Sequence, residues 1–182
     1  FEMTKRYYDN LPSGLCPKAD KSSAKELRFS QFDSGYSVGT AGNKGTGRSQ
    51  TIQLFHGSEV AFWEHTDDHA TGVLQAVSNE LDTEIILEST ASGIGNYFHK
   101  MWCSASNGAS DYQAIFVPWY WQAEYKARTY NFKMDDEEEE IYSLHYEDGL
   151  TIDHMEWRRV KISSLSGDAE AGLELFKQEY PM

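Results

Sequence analysis

The sequence has little cysteine, few basic residues and no long apolar run. Its two cysteines, Cys16 and Cys103, lie far apart and lack metal-ligand spacing, which predicts two free thiols in a reducing compartment. No apolar run approaches the roughly 20 residues that a membrane-spanning helix needs, and no signal peptide is recognisable. The 16 basic and 29 acidic residues give a net charge of -13, which argues against a surface that simply coats nucleic acid but leaves room for a small basic patch.

The sequence does contain enough apolar material for a packed domain. Of its 182 residues, 40% are hydrophobic and 14% aromatic, so we expect a globular fold with a real core and not a disordered chain. The chain starts at Phe1 instead of a methionine, which suggests a piece of a longer protein.

The first 50 residues predict a helix followed by a β-hairpin. The segment FEMTKRYYD (1–9) is typical of the end of a helix. ELRFSQF (26–32) alternates apolar and polar residues as a half-buried strand does, and a short turn joins it to a second strand, YSVGT (36–40). A glycine-rich loop, AGNKGTGRSQ (41–50), follows.

The middle of the chain alternates strand-like and helix-like segments. The apolar runs TIQLF (51–55), TEIILEST (83–90) and YQAIFVPW (112–119) predict strands, and the last two have the pattern of strands buried on both faces. A helix capped near Thr66 and another capped by Asn96 separate them. This alternation predicts a mostly parallel sheet with helices on both faces.

The last third of the chain predicts helices. The acidic run DDEEEE (135–140) is typical of a solvated first helical turn, and IDHMEWRRVKI (152–162) and AEAGLELFKQEY (169–180) continue the helical pattern. For Arg158 and Arg159 we favour an exposed basic edge of a helix over a nucleic-acid contact.

Polar residues follow two of the predicted strands, at the ends where parallel sheets bind ligands. Glu59 follows one strand, and Ser89 and Thr90 follow the next, so neighbouring strands would bring them into one crevice. A carboxylate there can polarise a water, and a Ser-Thr pair can sense the phosphate that the water attacks. The alternative is a strand-end glutamate and an ordinary Ser-Thr pair at a strand-to-loop junction.

Two other patterns are weaker. The loop around Lys44 lacks the spacing of a P-loop and precedes a strand instead of a helix, although Arg48 in this loop could reach phosphate charge. His65 and His69 have the i, i+4 spacing of metal ligands, but no third ligand is near and a capped helix start explains them equally well.

The order of these features resembles the ATPase domain of the large terminase subunit of tailed bacteriophages, the motor that packages viral DNA into a preformed head. GRSQTIQLFHGSEVAFW (47–63) resembles the family's Walker B segment, and EIILESTASGIGNYFHKMW (84–102) resembles its next motif. The hairpin, YQAIFVPW, WRRVKI (157–162) and FKQEYP (176–181) follow in the family's order. The resemblance implies an α/β, RecA-like (P-loop NTPase-type) fold, in which helices flank a mostly parallel sheet, with a β-hairpin near the start and a helical C-terminal segment.

The resemblance also implies roles for individual residues. Glu59 matches the glutamate that activates water for attack on the γ-phosphate of ATP, and Ser89 and Thr90 match the motif that couples hydrolysis to motion. Arg48 is the candidate for stabilising charge on the transferring phosphoryl group, in its own or a neighbouring subunit. Ser58 stands where many Walker B motifs carry the Mg²⁺-ligating aspartate; this is a departure, because a hydroxyl is the weaker ligand.

The family's Walker A loop and nuclease carboxylates have no match in the sequence. The resemblance therefore implies that residues 1–133 are the second half of the ATPase domain, that 134–182 lead towards a nuclease domain, and that the chain alone is inactive. It implies Mg²⁺ as cofactor and ATP as substrate. The implied partners are double-stranded DNA, the portal protein, the small terminase subunit and further copies in a ring, without a membrane. The implied location is the cytoplasm of a bacterial host that carries a tailed phage or prophage, transiently at the procapsid portal.

Two alternatives remain open at this point. One is another RecA-like DNA translocase or helicase. The other is a non-catalytic docking module that kept the fold and lost the chemistry, for which Ser58 is the best support.

Overall fold

The computed structural model describes residues 1–41, 51–64, 72, 74–78, 80–128 and 130–182. This part of the chain contains five α-helices and five β-strands. The helices are α1 (Glu2–Asp9), α2 (Tyr97–Ser106), α3 (Asp136–His145), α4 (Ile152–Leu165) and α5 (Ala169–Glu179). The strands are β1 (Lys21–Ser22), β2 (Glu26–Phe29), β3 (Ser34–Ser37), β4 (Leu54–Gly57) and β5 (Glu84–Leu87). The start of the helix predicted at Thr66 lies outside the described residues.

The chain forms two compact units. The first consists of Phe1–Phe55 and Trp63–Ile85, and it contains α1 and the strands β1 to β3. The second consists of His56–Phe62 and Ile86–Met182, and it contains α2 to α5. The division falls within β4 and within β5.

An antiparallel sheet and one helix form the start of the first unit. Strand β2 pairs with β1 on one side and with β3 on the other. Helix α1 packs against this sheet through Tyr8, whose ring centre lies 5.6 Å from that of Phe29. Leu27, two residues before Phe29 and therefore on the same face, is buried. The predicted β-hairpin is confirmed, and the chain reverses through the 3-10 turn Ser30–Phe32 and the left-handed Asp33.

Strands β4 and β5 form a separate, parallel pair. The backbone N–H of Glu84 donates to the carbonyl of Gln53 at 2.8 Å, and that of Glu88 donates to Gly57 at 2.9 Å. The register advances in the same direction on both strands, as a parallel pair requires.

The predicted RecA-like fold, with a mostly parallel sheet flanked by helices, is wrong. The described residues form a three-stranded antiparallel sheet and a two-stranded parallel one. Exposed and half-buried residues alternate along β5, and Ile86 is 42% exposed, so this strand is not buried on both faces. Segment 112–119 was predicted as a third buried strand, yet it pairs with no described strand and leaves Ile115 69% exposed. An apolar run becomes a strand only where neighbouring backbone supplies its hydrogen bonds.

The helical core of the second unit follows the sequence prediction closely. Helices α3, α4 and α5 form where the acidic run and the two later helical patterns predict them. The core is built around buried aromatic and aliphatic side chains: Trp119, Tyr120, Leu150, Met155 and Phe176. Gly172 lets α5 approach α4 closely, because a Cβ atom at this position would lie 2.5 Å from the carbonyl oxygen of Ile162.

The acidic start of α3 is only partly solvated, which corrects the sequence prediction. Asp135 caps the helix by accepting the backbone N–H of Glu138 at 2.9 Å. Glu138 itself is 3% exposed and binds the guanidinium of Arg159, which donates through Nε at 2.9 Å. Arg158 is buried and lies over the ring of Phe176. The predicted exposed basic edge is therefore wrong at Arg158, which is buried, whereas Arg159 is exposed as predicted but pairs with Glu138.

Two predictions from composition also find support. Cys16 and Cys103 are both free thiols. Among the described helices, none is long and apolar enough to cross a membrane.

Candidate functional site

The parallel pairing of β4 and β5 brings two of the predicted site segments together. The hydrogen bond from Glu88 to Gly57 joins the last residue of β4 to the residue after β5. Ser58 and Glu59 continue directly from β4, and Ser89 continues from Glu88. Both segments therefore leave the strand pair at the same end, which is where parallel strands present ligand-binding groups.

Glu59 has a backbone conformation that few non-glycine residues adopt. Its φ is 54°, in the left-handed region, and its side chain is exposed. The next residue, Val60, is fully buried and donates its backbone N–H to the carbonyl of Glu88 at 3.2 Å. The carbonyl of Gly57 accepts the backbone N–H of Glu88, so the backbone on both sides of Glu59 is hydrogen-bonded to Glu88. The turn held in this way presents the Glu59 carboxylate to solvent.

Ser89 fixes the same turn from the other strand. Its hydroxyl oxygen accepts the backbone N–H of Ala61 at 3.1 Å. Ala61 belongs to the 3-10 turn Val60–Phe62, against which α2 packs. The serine of the predicted Ser-Thr pair is therefore joined by a hydrogen bond to the turn that carries Glu59. Thr90 follows it and is half-buried.

The loop after Thr90 leads directly into α2. Gly93 and Gly95 have positive φ values of 68° and 86°, which glycine adopts without strain. Asn96 caps the helix, as predicted, by accepting the backbone N–H of His99 at 2.9 Å. The described site is thus a strand, a Ser-Thr segment, a glycine loop and a capped helix.

The structure adds a histidine–carboxylate contact that sequence reasoning missed. Nε2 of His56 lies 3.6 Å from a carboxylate oxygen of Glu88, and both side chains are about half exposed. His56 precedes Ser58 by two residues on β4, and Glu88 precedes Ser89. In the sequence, the only indication of this contact is that both residues lie near the ends of predicted strands. Which residues face each other follows from the pairing register, which the sequence does not show.

The remaining predicted site residues are placed as follows. Ser58 is exposed between β4 and Glu59. Arg48, His65 and His69 lie outside the described residues. The hydroxyl of Ser58 and the carboxylate of Glu59 are two oxygen donors of the type that Mg²⁺ prefers, and the described residues contain no cluster of three or more His, Cys, Asp or Glu side chains that could hold a metal ion.

Comparison of the chain with protein-family models and with curated proteins finds no match.

Proposed function

We propose that this chain contributes the water-activating and coupling segments of an ATP-hydrolysing, DNA-packaging motor of the terminase large-subunit type. The observation that carries the proposal is the fixed, left-handed turn that presents Glu59 next to the Ser89 segment. Strained residues cluster at functional sites, where surrounding hydrogen bonds hold them. The described residues supply one such pair of parallel strand ends and not the RecA-like sheet that the family's ATPase domain has.

In this mechanism the Glu59 carboxylate orients a water molecule and accepts its proton. The water oxygen forms a bond to the γ-phosphorus of ATP as the bond to the β–γ bridging oxygen breaks. The Ser58 hydroxyl would hold Mg²⁺ together with the phosphates of the substrate, and the ion would supply neutralisation of phosphate charge. Ser89 and Thr90 respond to the loss of the γ-phosphate, and the hydrogen bond from Ala61 to Ser89 passes this change to the turn that holds Glu59. Arg48 stabilises the transferring phosphoryl group.

We propose the substrate, location and partners of this activity from the sequence resemblance to the terminase large subunit. The motor acts on double-stranded DNA in the cytoplasm of a bacterial host, transiently at the procapsid portal. It assembles as a ring of identical subunits with the portal protein and the small terminase subunit. The Walker A phosphate cradle of such a motor has no match in this sequence, so we propose that another segment supplies it and that the chain alone is inactive.

DNA-stimulated ATP hydrolysis by the full-length parent tests the proposal. Glu59→Gln removes the proton acceptor and keeps the size of the side chain, so we expect turnover to fall by about two orders of magnitude or more. Glu84→Gln is the matched control. It makes the same change on an exposed residue at the first position of β5, the end of the strand away from Glu88 and Ser89. Unchanged turnover in Glu59→Gln, with the control also unchanged, would contradict the proposal.

A non-catalytic docking module is the second candidate. Ser58 favours it, because a hydroxyl replaces the acidic Mg²⁺ ligand that many Walker B motifs carry at this position. It predicts that Glu59→Gln, Ser58→Ala and the wild type do not differ in turnover. Ser58→Asp separates the two candidates further, since a catalytic site would gain Mg²⁺ affinity and a docking module would not respond.

A further inference from the structure

Helix α2 holds a cysteine and a histidine in contact on adjacent turns. Cys103 follows His99 by four residues, and its Sγ atom lies 3.6 Å from Nε2 of His99. Both residues are half-buried. Residues at i and i+4 share one face of a helix, and helical side chains lean towards the N-terminus, so the thiol points at the turn that carries the imidazole.

The hydrogen bond at the other ring nitrogen assigns the proton of His99. The backbone N–H of Gly95 donates to Nδ1 of His99 at 3.3 Å. A neutral imidazole has one nitrogen that donates and one that accepts. Because Nδ1 accepts, Nε2 carries the proton, and this N–H donates to the sulfur of Cys103.

The sequence around Cys103 is free of acidic residues, although the chain as a whole is acidic. No Asp or Glu occurs from Ser89 to Ser110, whereas the whole chain contains 29. Lys100 precedes Cys103 by three residues, so it occupies a neighbouring position on the same helix. An N–H donor and a nearby cation both stabilise negative charge on a sulfur atom.

The other thiol of the chain has different partners. Cys16 is also half-buried, but it donates to the carbonyl oxygen of Tyr8 at 3.8 Å and lies 3.9 Å from that of Pro17. Carbonyl oxygens pair with the S–H group and repel a sulfur anion. The two cysteines therefore resemble each other in burial and differ in whether their surroundings favour the anion.

We propose that Cys103 is a reactive thiol that forms a mixed disulfide with small disulfides of the glutathione class. The thiol proton passes to solvent, and the sulfur anion attacks one sulfur of the small disulfide. A new S–S bond forms as the old one breaks, and the second sulfur leaves as a thiolate that takes a proton from water. The N–H of His99 stabilises the charge on Cys103 until the new bond forms. This modification goes beyond the proposed function and does not depend on it.

Metal binding is the other chemistry that a histidine–cysteine pair could serve. Among the described residues, no group of three or more His, Cys, Asp and Glu side chains could hold a metal ion. A metal on Nε2 of His99 would also place the ring proton on Nδ1, where it would face the N–H of Gly95. The hydrogen bonds therefore favour a reactive thiol over a metal ligand.

Incubation of the chain with oxidised glutathione, followed by mass spectrometry of its peptides, measures both thiols in one sample. In the folded chain, we expect Cys103 to form its adduct at least about tenfold faster than Cys16. In concentrated urea the fold is lost, and the ratio of the two rates should fall towards one. A Cys103 rate no greater than that of Cys16 in the folded chain would overturn the proposal, as would a ratio that urea leaves unchanged.

Two substitutions test the part that the imidazole plays. His99→Leu removes the donor, so the rate at Cys103 should fall about tenfold while the rate at Cys16 stays the same. His99→Gln keeps a side-chain N–H donor, so Cys103 should react faster in this variant than in His99→Leu. An unchanged rate at Cys103 in a folded His99→Leu variant would overturn the role of His99.

Two further measurements complete the test. Circular dichroism checks the fold of each variant, and the comparison of Cys103 with Cys16 in the wild type decides the proposal even where a variant fails to fold. Addition of one equivalent of Zn²⁺ before the glutathione should leave the rate at Cys103 unchanged. Protection of Cys103 by Zn²⁺ would overturn the proposal in favour of a metal site.

Discussion

The side-chain oxygen of Ser89 accepts a hydrogen bond from the backbone N–H of Ala61 at 3.1 Å, across 28 positions of sequence. This bond joins the segment after β5 to the 3-10 turn after β4, and Glu59 lies between that turn and β4. The orientation of Glu59 therefore depends on a residue of the neighbouring strand, which is the type of coupling that the proposed motor requires.

Removal of the Ser89 hydroxyl should weaken both the fold and the site. We expect Ser89→Ala to lower the free energy of unfolding by about 1 kcal/mol, because it removes one partly buried hydrogen bond. ATP turnover in the parent should fall further than stability alone explains, since the turn that carries Glu59 loses its support. Ser89→Thr keeps the hydroxyl and should restore most of both quantities. Chemical denaturation and turnover assays on the three proteins check this, and equal loss in both variants would contradict the role of the hydroxyl.

Because Glu59 has a left-handed backbone conformation, we expect some substitutions at this position to stabilise the fold while they abolish activity. Asparagine tolerates positive φ better than other non-glycine residues, so we expect Glu59→Asn to match or exceed the wild-type melting temperature. Glu59→Val places a β-branched residue at φ 54° and should destabilise the protein by about 1–2 kcal/mol. Both variants should lose ATP turnover in the parent. Thermal unfolding distinguishes them, and equal melting temperatures would show that the backbone at Glu59 carries no strain.

Local signals in the sequence predicted local structure well. The cap at Asn96, the acidic start of α3 and the hairpin from β2 to β3 each depend on residues a few positions apart, and all three are present. Caps and turns are decided by side chains that bond to nearby backbone, so their sequence patterns carry a direct physical cause.

Long-range partners could not be predicted in the same way. Segment 112–119 has the composition of a buried strand, but its strand pairing depends on backbone elsewhere in the chain, and no described strand pairs with it. Glu138 was expected in solvent with its acidic neighbours, and its burial depends on Arg159, 21 residues further on. For the candidate site, sequence order predicted that Glu59 and Ser89 lie at one strand end, whereas the left-handed turn and the His56–Glu88 pair needed coordinates.

Loss of Arg159 from its ion pair with Glu138 should lower stability more than loss of the Glu138 charge. Arg159 donates to Glu138 and to the carbonyl of Lys133, and it lies 4.3 Å from the ring centre of Phe132. Arg159→Ala leaves a buried carboxylate without its cation and should cost about 3 kcal/mol of stability. Glu138→Gln leaves a guanidinium that is partly exposed and can be hydrated, so its cost should be smaller.

Urea unfolding of both variants measures the asymmetry. Arg128→Ala is the control, because Arg128 is exposed and its loss should change stability by no more than about 0.5 kcal/mol. An equal cost for Arg159→Ala and Glu138→Gln would show that the carboxylate is not desolvated in the folded protein.

The buried His154 should make the stability of the second unit depend on pH. Burial lowers the pKa of His154 below its ordinary value of 6.5; the nearby charge of Lys126 lowers it further, and Asp153 opposes this. Nδ1 of His154 accepts the backbone N–H of Thr151 at 3.0 Å, and the ring packs among Trp119 and Tyr120. The folded protein thus keeps this imidazole neutral at a pH where the unfolded chain binds a proton.

The sign of the effect follows from proton linkage. Below pH 6.5 the unfolded chain binds one more proton than the folded protein, so stability decreases as the pH falls from 6.5 towards the lower folded pKa. The slope that this one group contributes has an upper bound of about 1.4 kcal/mol per pH unit, the value for one whole proton. His154→Asn keeps an acceptor for the N–H of Thr151 and cannot titrate, so stability should depend less steeply on pH in this variant than in the wild type. Urea unfolding between pH 5 and pH 7.5 provides the comparison, and identical slopes for His154→Asn and the wild type would mean that His154 is protonated equally in the folded and unfolded chains.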